Sequence, residues 1–188
     1  MSEFSPRPLR VDARKNRAAI VGAAMKAFET DGVDASLDEI ARSAGVGSAT
    51  LYRHFPSRED LVFEAMRHGI DDLLVQAELS SAGNSPRAAL QQWLLDLVWH
   101  LRIWHGLPES VVTALNKATS PVQLACAPLS ARTALMLEQA QAAGEIRGSV
   151  TGDELFQLVT LLSWGVDQFG DDRQQAQRRI RLATVGIL

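Results

Sequence analysis

Hydrophobic residues recur every three or four positions along almost the whole chain, which is the spacing of one face of an α-helix. No stretch shows the sustained alternation of β-branched residues that predicts a β-strand. We therefore predict an all-α fold. The predicted helices have approximate bounds 12–31, 36–44, 48–55, 57–79, 86–105, 109–118, a helix that ends near 143, 153–169 and 172–186.

Several predicted helices carry start signals in the sequence. Ser36 and Glu39 form a capping box, in which the serine hydroxyl and the glutamate carboxylate each satisfy a free backbone N–H. Thr151 and Glu154 form another. Pro128 either kinks its helix near the beginning or marks the true start, because proline fits the first turn but not the interior.

Composition narrows the class of protein. The chain has 188 residues, of which 46% are hydrophobic and 22% charged, a globular balance. The single cysteine, Cys126, cannot form an internal disulfide, and no Cys/His spacing predicts a zinc site. We expect no cofactor. No apolar run approaches the ~20 residues of a membrane span, and the N-terminus lacks the apolar region of a signal peptide, so we expect a cytoplasmic protein.

Enzymatic signatures are missing from the sequence. There is no glycine-rich phosphate loop and no metal-ligand spacing. Asp96 and His100 are four residues apart, but no serine or cysteine nucleophile stands in a recognisable elbow near them. We therefore predict that the protein is not an enzyme.

Basic residues are concentrated near the start of the chain, although the formal net charge of the whole chain is −3. Five of them lie within eleven residues, against the single acidic Asp12: Arg7, Arg10, Arg14, Lys15 and Arg17. A local positive cluster can bind phosphates even when the whole protein is acidic. Charge alone leaves two interpretations open, a DNA-binding arm and a solvated tail.

Two short predicted helices are joined by Gly45-Val46-Gly47, and the small residues Ala41 and Ala44 allow them to cross closely. This pattern is typical of a helix-turn-helix, whose second helix enters the major groove of DNA. In that second helix, Leu51 and Phe55 are four residues apart and are predicted to face the core. The side chains left to face DNA are Ser48, Ala49, Thr50, Tyr52, Arg53 and His54. By itself, the pattern also fits an amphipathic surface helix.

A dense set of positions between residues 14 and 61 carries a family resemblance. The positions are Ile20, Ala24, Phe28, Gly32, Ser36, Ile40, Ala41, Ala44-Gly45-Val46, Thr50-Leu51-Tyr52, His54-Phe55 and Arg58-Glu59-Asp60-Leu61. With these residues the segment resembles the DNA-binding domain of the TetR family of transcriptional regulators. Pro56 departs from the pattern, since many members carry a polar or basic residue there.

The resemblance implies roles for individual residues. Tyr52 and His54 are implied to contact phosphates, and Arg58 is implied to contact the DNA backbone. Base contacts are implied for the variable positions of the helix, among which Arg53 carries the usual partner group for guanine. The complete predicted DNA-binding set is Ser36, Ser48, Ala49, Thr50, Tyr52, Arg53, His54, Arg58, Arg14 and Lys15.

Residues 80–188 match no further motif, and here the resemblance implies only architecture. It implies a helical domain that forms a homodimer through its last two helices and encloses a ligand pocket. The seam of that dimer is predicted at Leu155, Leu158, Leu162, Val166 and Phe169. The implied partners are double-stranded DNA with a palindromic operator, a second copy of the chain and an unknown small molecule, with no membrane.

All four tryptophans lie in the predicted C-terminal domain, residues 58–188, where together with Phe156, Met136 and Cys126 they could wall a cavity for an aromatic or apolar ligand. The predicted ligand-binding residues are Trp93, Asp96, Trp99, His100, Ile103, Met136 and Trp164. Asp96 favours a neutral or cationic aromatic compound over an anion. A structural alternative stays open, in which Asp96 and His100 bond to each other and the tryptophans fill the core.

We therefore predict a sequence-specific DNA-binding transcriptional regulator, a repressor that a small-molecule ligand releases from DNA. Residues 1–57 are predicted to form the helix-turn-helix DNA-binding domain with a basic N-terminal arm. Residues 58–188 are predicted to form the helical ligand-binding and dimerisation domain. The alternatives are a helical protein-interaction module and a DNA-binding regulator without a small-molecule inducer.

Overall fold

The computed structural model describes residues 7–104, 121–146 and 148–188, and within these ranges it has eight α-helices and no strand. In chain order they are α1 (Arg7–Asp31), α2 (Leu37–Ser43), α3 (Ser48–His54), α4 (Arg58–Ser81), α5 (Pro86–Leu101), α6 (Pro121–Ala142), α7 (Gly152–Gln168) and α8 (Arg173–Thr184). The prediction of an all-α fold is confirmed. The helix predicted near 109–118 lies outside the described residues. None of the helices described is long and apolar enough to cross a membrane.

The chain divides into two compact units, residues 1–68 and 69–188, which we call the N-terminal and C-terminal units. The division falls within α4, whereas the sequence analysis placed the domain boundary ahead of that helix. In the N-terminal unit, α1 packs against α2 and α3. The apolar positions that the helical spacing placed on one face are buried there: Ile20, Ala24, Phe28, Ile40, Leu51, Phe55 and Leu61.

In the C-terminal unit, α5 packs against α6, α7 and α8. Its sequence is apolar on most sides, which suits a helix with neighbours all round. The buried side chains of α5 are Ala89, Leu90, Trp93, Leu94, Leu95, Leu97 and Val98. The one polar group of Trp93 is satisfied, because its Nε1–H donates to Oγ1 of the buried Thr133 on α6 at 2.9 Å.

Local capping explains where most of these helices begin. Ser85 accepts a hydrogen bond from the N–H of Ala88, and Pro86 occupies the first turn of α5. The capping box of Thr151 and Glu154 is complete at the start of α7. Of the predicted box at α2, the structure has one half: Oγ of Ser36 accepts from the N–H of Glu39 at 3.4 Å.

Three helix boundaries differ from the sequence analysis. Helix α1 begins at Arg7 rather than near Asp12, so the proposed arm is helical from Arg7 onward. Helix α5 ends at Leu101 and continues as a 3₁₀ turn, Arg102–Trp104. Helix α6 begins at Pro121, which places Pro128 inside the helix; Pro128 as the true start was therefore wrong.

Helix α7 begins in close contact with α6. A Cβ atom added to Gly152 would lie 2.4 Å from Cβ and 2.5 Å from Cα of Ala134. No carbon can sit that close without a shift of the neighbouring backbone, so glycine is the residue that lets the two helices approach.

Candidate nucleic-acid interface

The turn between α2 and α3 has the geometry of a helix-turn-helix. Gly45 adopts a φ of +71°, a conformation that favours glycine. The N–H of Val46 donates to the carbonyl of Ala41 at 3.0 Å, which closes the end of α2. Gly47 then serves as the N-cap of α3 without a side-chain hydrogen bond, so Ser48 begins the helix but does not cap it.

Helix α3 presents two faces. Leu51 and Phe55 are each only 1% exposed and fix the inner face, as their spacing predicted. Ser48, Ala49, Tyr52 and Arg53 are exposed on the outer face, and Thr50 and His54 are half-buried at its edges. The two buried side chains hold this short helix in place and so fix the positions of the polar groups on its outer face.

Two contacts constrain the predicted base-reading residues. Ser48 donates a hydrogen bond from Oγ to Oδ1 of Asp38 at 2.6 Å, which joins α3 to α2 and uses the hydroxyl proton. Arg53 lies over the start of its own helix, where Nη2 is 3.5 Å from Oγ1 of Thr50. The guanidinium of Arg53 therefore keeps most of its donors free for another partner.

Arg17 on α1 connects three elements of the N-terminal unit. Its Nη1 donates to the carbonyl of His54 at 3.3 Å, and its guanidinium carbon lies 4.4 Å from the centre of the Phe55 ring. Its Nη2 is 3.3 Å from Oε2 of Glu64 on α4. The charge of Arg17 is thus used within the unit, and we remove it from the basic cluster proposed to face phosphates.

Glu64 is the acidic partner of this network. Arg67 also donates to it, with 3.0 Å between Nη2 and Oε1. Hydrogen bonding from Arg67 and the nearby charge of Arg17 hold the pKa of Glu64 below its ordinary value of 4.5, although partial burial acts in the opposite direction. The network therefore holds the C-terminal end of α3 on α1 and α4.

Arg58 makes intramolecular contacts that sequence reasoning missed. Its Nη1 donates to the carbonyls of Val33 and Ala35, at 2.9 and 2.6 Å. These carbonyls belong to the segment between α1 and α2, more than twenty residues away in the sequence. The side chain is half-buried, so Arg58 holds this segment in place whether or not it also contacts DNA.

The remaining members of the predicted set lie on the surface. Arg14 and Lys15 are exposed on α1, and Ser36 is exposed at the N-terminus of α2. Pro56, the departure from the family pattern, is also exposed and is the second residue after the end of α3.

The predicted ligand-binding residues do not form one group in the C-terminal unit. Arg173 of α8 pairs with Asp96, and Gln92 donates to the same carboxylate from Nε2 at 2.9 Å. The ring of Trp99 lies 3.6 Å from the guanidinium of Arg102 and 5.8 Å from that of Arg173. The charge of Asp96 is thus balanced by an arginine, and the structural alternative in which Asp96 and His100 bond to each other was wrong.

His100 has a different partner. Nε1–H of Trp104 donates to Nε2 of His100 at 3.4 Å, a bond that requires a neutral imidazole. Burial, together with the positive charge of Arg102, lowers the pKa of His100 from 6.5 to about 4, while Asp72 acts in the opposite direction. His100 is therefore neutral near pH 7.

The other predicted ligand residues lie in separate environments. Trp93 and Met136 are buried in the core, Ile103 is half-buried in the 3₁₀ turn, and Trp164 is 56% exposed. A groove of about 660 Å³ lies between α6 and α7, lined in part by Cys126, Ser130 and Phe156. Cys126 and Phe156 were expected near a cavity, but the lining of this groove includes none of the seven predicted ligand residues.

The dimer seam predicted from the sequence needs correction. Leu155 and Val166 are 0% and 1% exposed in the single chain, where they pack into the core of the C-terminal unit. Leu158 and Leu162 are half-buried. The apolar side chains that face outward on α7, α8 and their ends are Leu161, Trp164, Phe169, Leu182 and Val185, which we call the outer apolar face. Of the predicted seam, only Phe169 belongs to this face.

These features define a helix-turn-helix DNA-binding protein with a separate helical unit at its C-terminus. Comparison with known proteins identifies the family. Residues 20–65 match the family described as bacterial regulatory proteins, tetR family. Residues 85–188, more than half of the chain, match the family described as transcriptional regulator SbtR-like, C-terminal domain. The chain belongs to the TetR family of transcriptional regulators, as its resemblance implied.

Solved structures and curated relatives agree with this assignment. A TetR transcriptional regulator from Streptomyces coelicolor is 29% identical with a TM-score of 0.72, and the match covers 91% of this chain and 97% of that one. A TetR transcription regulatory protein from Mycobacterium vanbaalenii is 30% identical with a TM-score of 0.64, covering 86% and 98%. An HTH-type transcriptional regulator of Staphylococcus aureus (strain MRSA252) is 31% identical over 111 residues, which is 58% of this chain and 60% of that protein. The chain thus spans less than two thirds of this curated relative.

Proposed function

We propose that this regulator binds a palindromic operator as a homodimer and represses transcription until a small molecule releases it. The observation that carries the proposal is the outer face of α3, where exposed polar side chains stand on a helix held by Leu51 and Phe55. One such helix reads only a few base pairs, so a specific site requires two of them. Members of the helix-turn-helix class meet this need with dimers whose half-sites are one helical turn, ~34 Å, apart.

The outer apolar face supports a homodimer. Leu161 and Trp164 on α7 and Phe169 directly after its end are between 56% and 70% exposed. Large apolar side chains in a row on a soluble protein mark an interaction site. We assign this face to a second copy of the chain, because a two-fold interface buries the same patch on both copies and a dimer carries two copies of α3.

We propose that the small molecule binds to the C-terminal unit. A regulator of the same fold from Mycobacterium smegmatis, 22% identical with a TM-score of 0.65, was solved in complex with proflavine. A ligand that binds more tightly to the dimer with wrongly spaced α3 helices would release DNA in proportion to that difference in affinity. In this proposal the protein acts by binding alone, in the cytoplasm.

Selection of bound fragments from the source genome tests the DNA-binding part of the proposal. We expect enriched fragments to share an inverted repeat, with half-sites spaced for a dimer. Fluorescence anisotropy on the enriched site then measures the affinity as a function of salt, which should fall steeply because phosphate contacts displace counterions. No enriched repeat, or an affinity insensitive to salt, would favour a protein-interaction module instead.

A further inference from the structure

Arg132 on α6 carries a buried donor without a partner. The residue is half-buried, and in the described part of the chain its Nε has neither solvent contact nor a hydrogen-bond acceptor. Other arginines in the same ranges form ion pairs, among them Arg17, Arg67, Arg173 and Arg179. In the described part of the C-terminal unit, the inner N–H of the Arg132 guanidinium is thus removed from water without compensation.

This arrangement is costly, and arginine cannot relieve it by losing its proton, because guanidinium stays charged at any physiological pH. A buried charged donor is normally paired with an acceptor. Several carboxylates of the C-terminal unit have other partners: Asp96 pairs with Arg173, Asp171 pairs with Arg179, and Asp153 accepts a hydrogen bond from Ser130.

The surroundings of Arg132 on α6 are apolar. Leu129 and Met136, three residues before and four after it, are 0% and 2% exposed. Ser130 and Ala134, two residues away on either side, line the groove toward α7, which places Arg132 on a different side of the helix. No other lysine or arginine occurs in α6, whose one remaining charged residue is the exposed Glu138.

We propose that Arg132 binds the carboxylate of a small organic acid that carries an apolar body. One guanidinium balances a single negative charge and offers parallel N–H donors to the two oxygens of a carboxylate. The proposal names the ligand class for the proposed function and rests on it. It also reverses the charge preference drawn from Asp96, since Arg173 neutralises that residue.

Matched pairs of acid and alcohol test the charge preference on the full-length protein. Octanoate is compared with 1-octanol and 2-naphthoate with 2-naphthalenemethanol by isothermal titration calorimetry, and octyl phosphate serves as a further arm. We expect at least one acid to bind tenfold or more tightly than its alcohol. Equal binding of acid and alcohol in both pairs, or no binding of either acid, overturns the proposal. Tighter binding of octyl phosphate than of octanoate overturns the carboxylate assignment.

Variants then test whether Arg132 supplies the positive charge that recognises the acid. Arg132→Gln should abolish the preference for the acid while leaving alcohol binding within about twofold. Arg87→Gln makes the same change of charge at an exposed position on α5 and should keep the preference. An Arg132→Gln protein that still prefers the acid contradicts the assignment. Should this variant fail to fold, Arg132→Lys keeps the charge, loses the forked geometry and should bind the acid several-fold more weakly than wild type.

Operator binding separates this proposal from the one on which it rests. If an acid binds through Arg132 but does not release a bound operator, the carboxylate site is supported and the ligand-released repressor is contradicted. If a neutral compound releases the operator and Arg132→Gln does not change that release, the ligand-released repressor is supported and the carboxylate site is contradicted.

Discussion

At the scale of single residues, the arginines differ in function because their surroundings differ. Arg53 is exposed on the outer face of α3 with one weak contact to its own helix. Arg17 and Arg58 donate to backbone carbonyls within the N-terminal unit. Sequence position alone made all three candidates for DNA, while hydrogen bonding ties Arg17 and Arg58 to other elements of the unit and leaves Arg53 with a single weak contact.

Arg53→Ala should relax the sequence preference of the protein at one base position. A guanidinium that pairs with a guanine edge contributes ~1–3 kcal/mol to discrimination. Tyr52→Phe, by contrast, should weaken binding to operator DNA and to non-operator DNA by similar factors, because a phosphate contact carries little sequence information. Anisotropy titrations with operators mutated one position at a time make the comparison. Equal weakening of all sequences by Arg53→Ala would exclude a base contact.

Arg58→Ala should lower the free energy of unfolding by about 2 kcal/mol, since it removes charged hydrogen bonds to the carbonyls of Val33 and Ala35. Urea unfolding followed by circular dichroism measures the change. Arg42→Ala, at an exposed basic position on α2, is the control and should stay within ~0.5 kcal/mol of wild type. Unchanged stability with lost DNA affinity would make Arg58 a DNA contact only.

His100 should make the protein less stable in mild acid. Its pKa in the fold is about 4, below the ordinary 6.5, so the unfolded chain takes up a proton first as the pH falls. The free energy of unfolding should therefore decrease between pH 6.5 and 4, by at most about 3 kcal/mol from this residue. His100→Gln keeps an acceptor for Trp104 and should flatten this part of the profile. A wild-type stability that stays constant over the same range contradicts the prediction.

At the scale of helices, the close contact between α6 and α7 depends on the absence of a side chain at Gly152. Gly152→Ala forces a methyl group into the space of Ala134 and should destabilise the protein by ~1–3 kcal/mol. Gly22→Ala in α1 is the matched control, because an added Cβ there meets nothing within 4 Å. Alanine has the higher helix propensity, so the control should be neutral or more stable by up to ~1 kcal/mol. Urea unfolding of both variants decides whether the close approach matters.

At the scale of the whole molecule, the outer apolar face should hold the dimer together. Leu161→Glu combined with Trp164→Glu places charges where a partner would exclude water, and we expect dissociation to monomers together with a loss of operator affinity. Both residues are exposed in the single chain, so helicity should persist. Sedimentation equilibrium measures the association.

Leu79→Glu is the control for this experiment, because it changes an equally exposed apolar residue on α4. It should leave the association unchanged. A double variant at Leu161 and Trp164 that stays dimeric would place the interface on another surface of the C-terminal unit.

The sequence by itself determined the helices, most of their starts and the helix-turn-helix. These features depend on interactions between neighbours in the chain: the capping box of Thr151, the glycine turn at Gly45, and the four-residue spacing of Leu51 and Phe55. Family resemblance added the class of protein. Short-range signals of this kind are readable because each one involves residues that the chain already holds close together.

Only the tertiary structure decided whether each charged or aromatic side chain is exposed or buried and which partner it contacts. Arg17 bonds a carbonyl 37 residues away, and Arg173 neutralises Asp96 from 77 residues away. Trp164 lies on the outer apolar face, and the Nε of the half-buried Arg132 is enclosed without an acceptor. These outcomes depend on which faces of distant helices meet, and local sequence periodicity carries no information about that pairing.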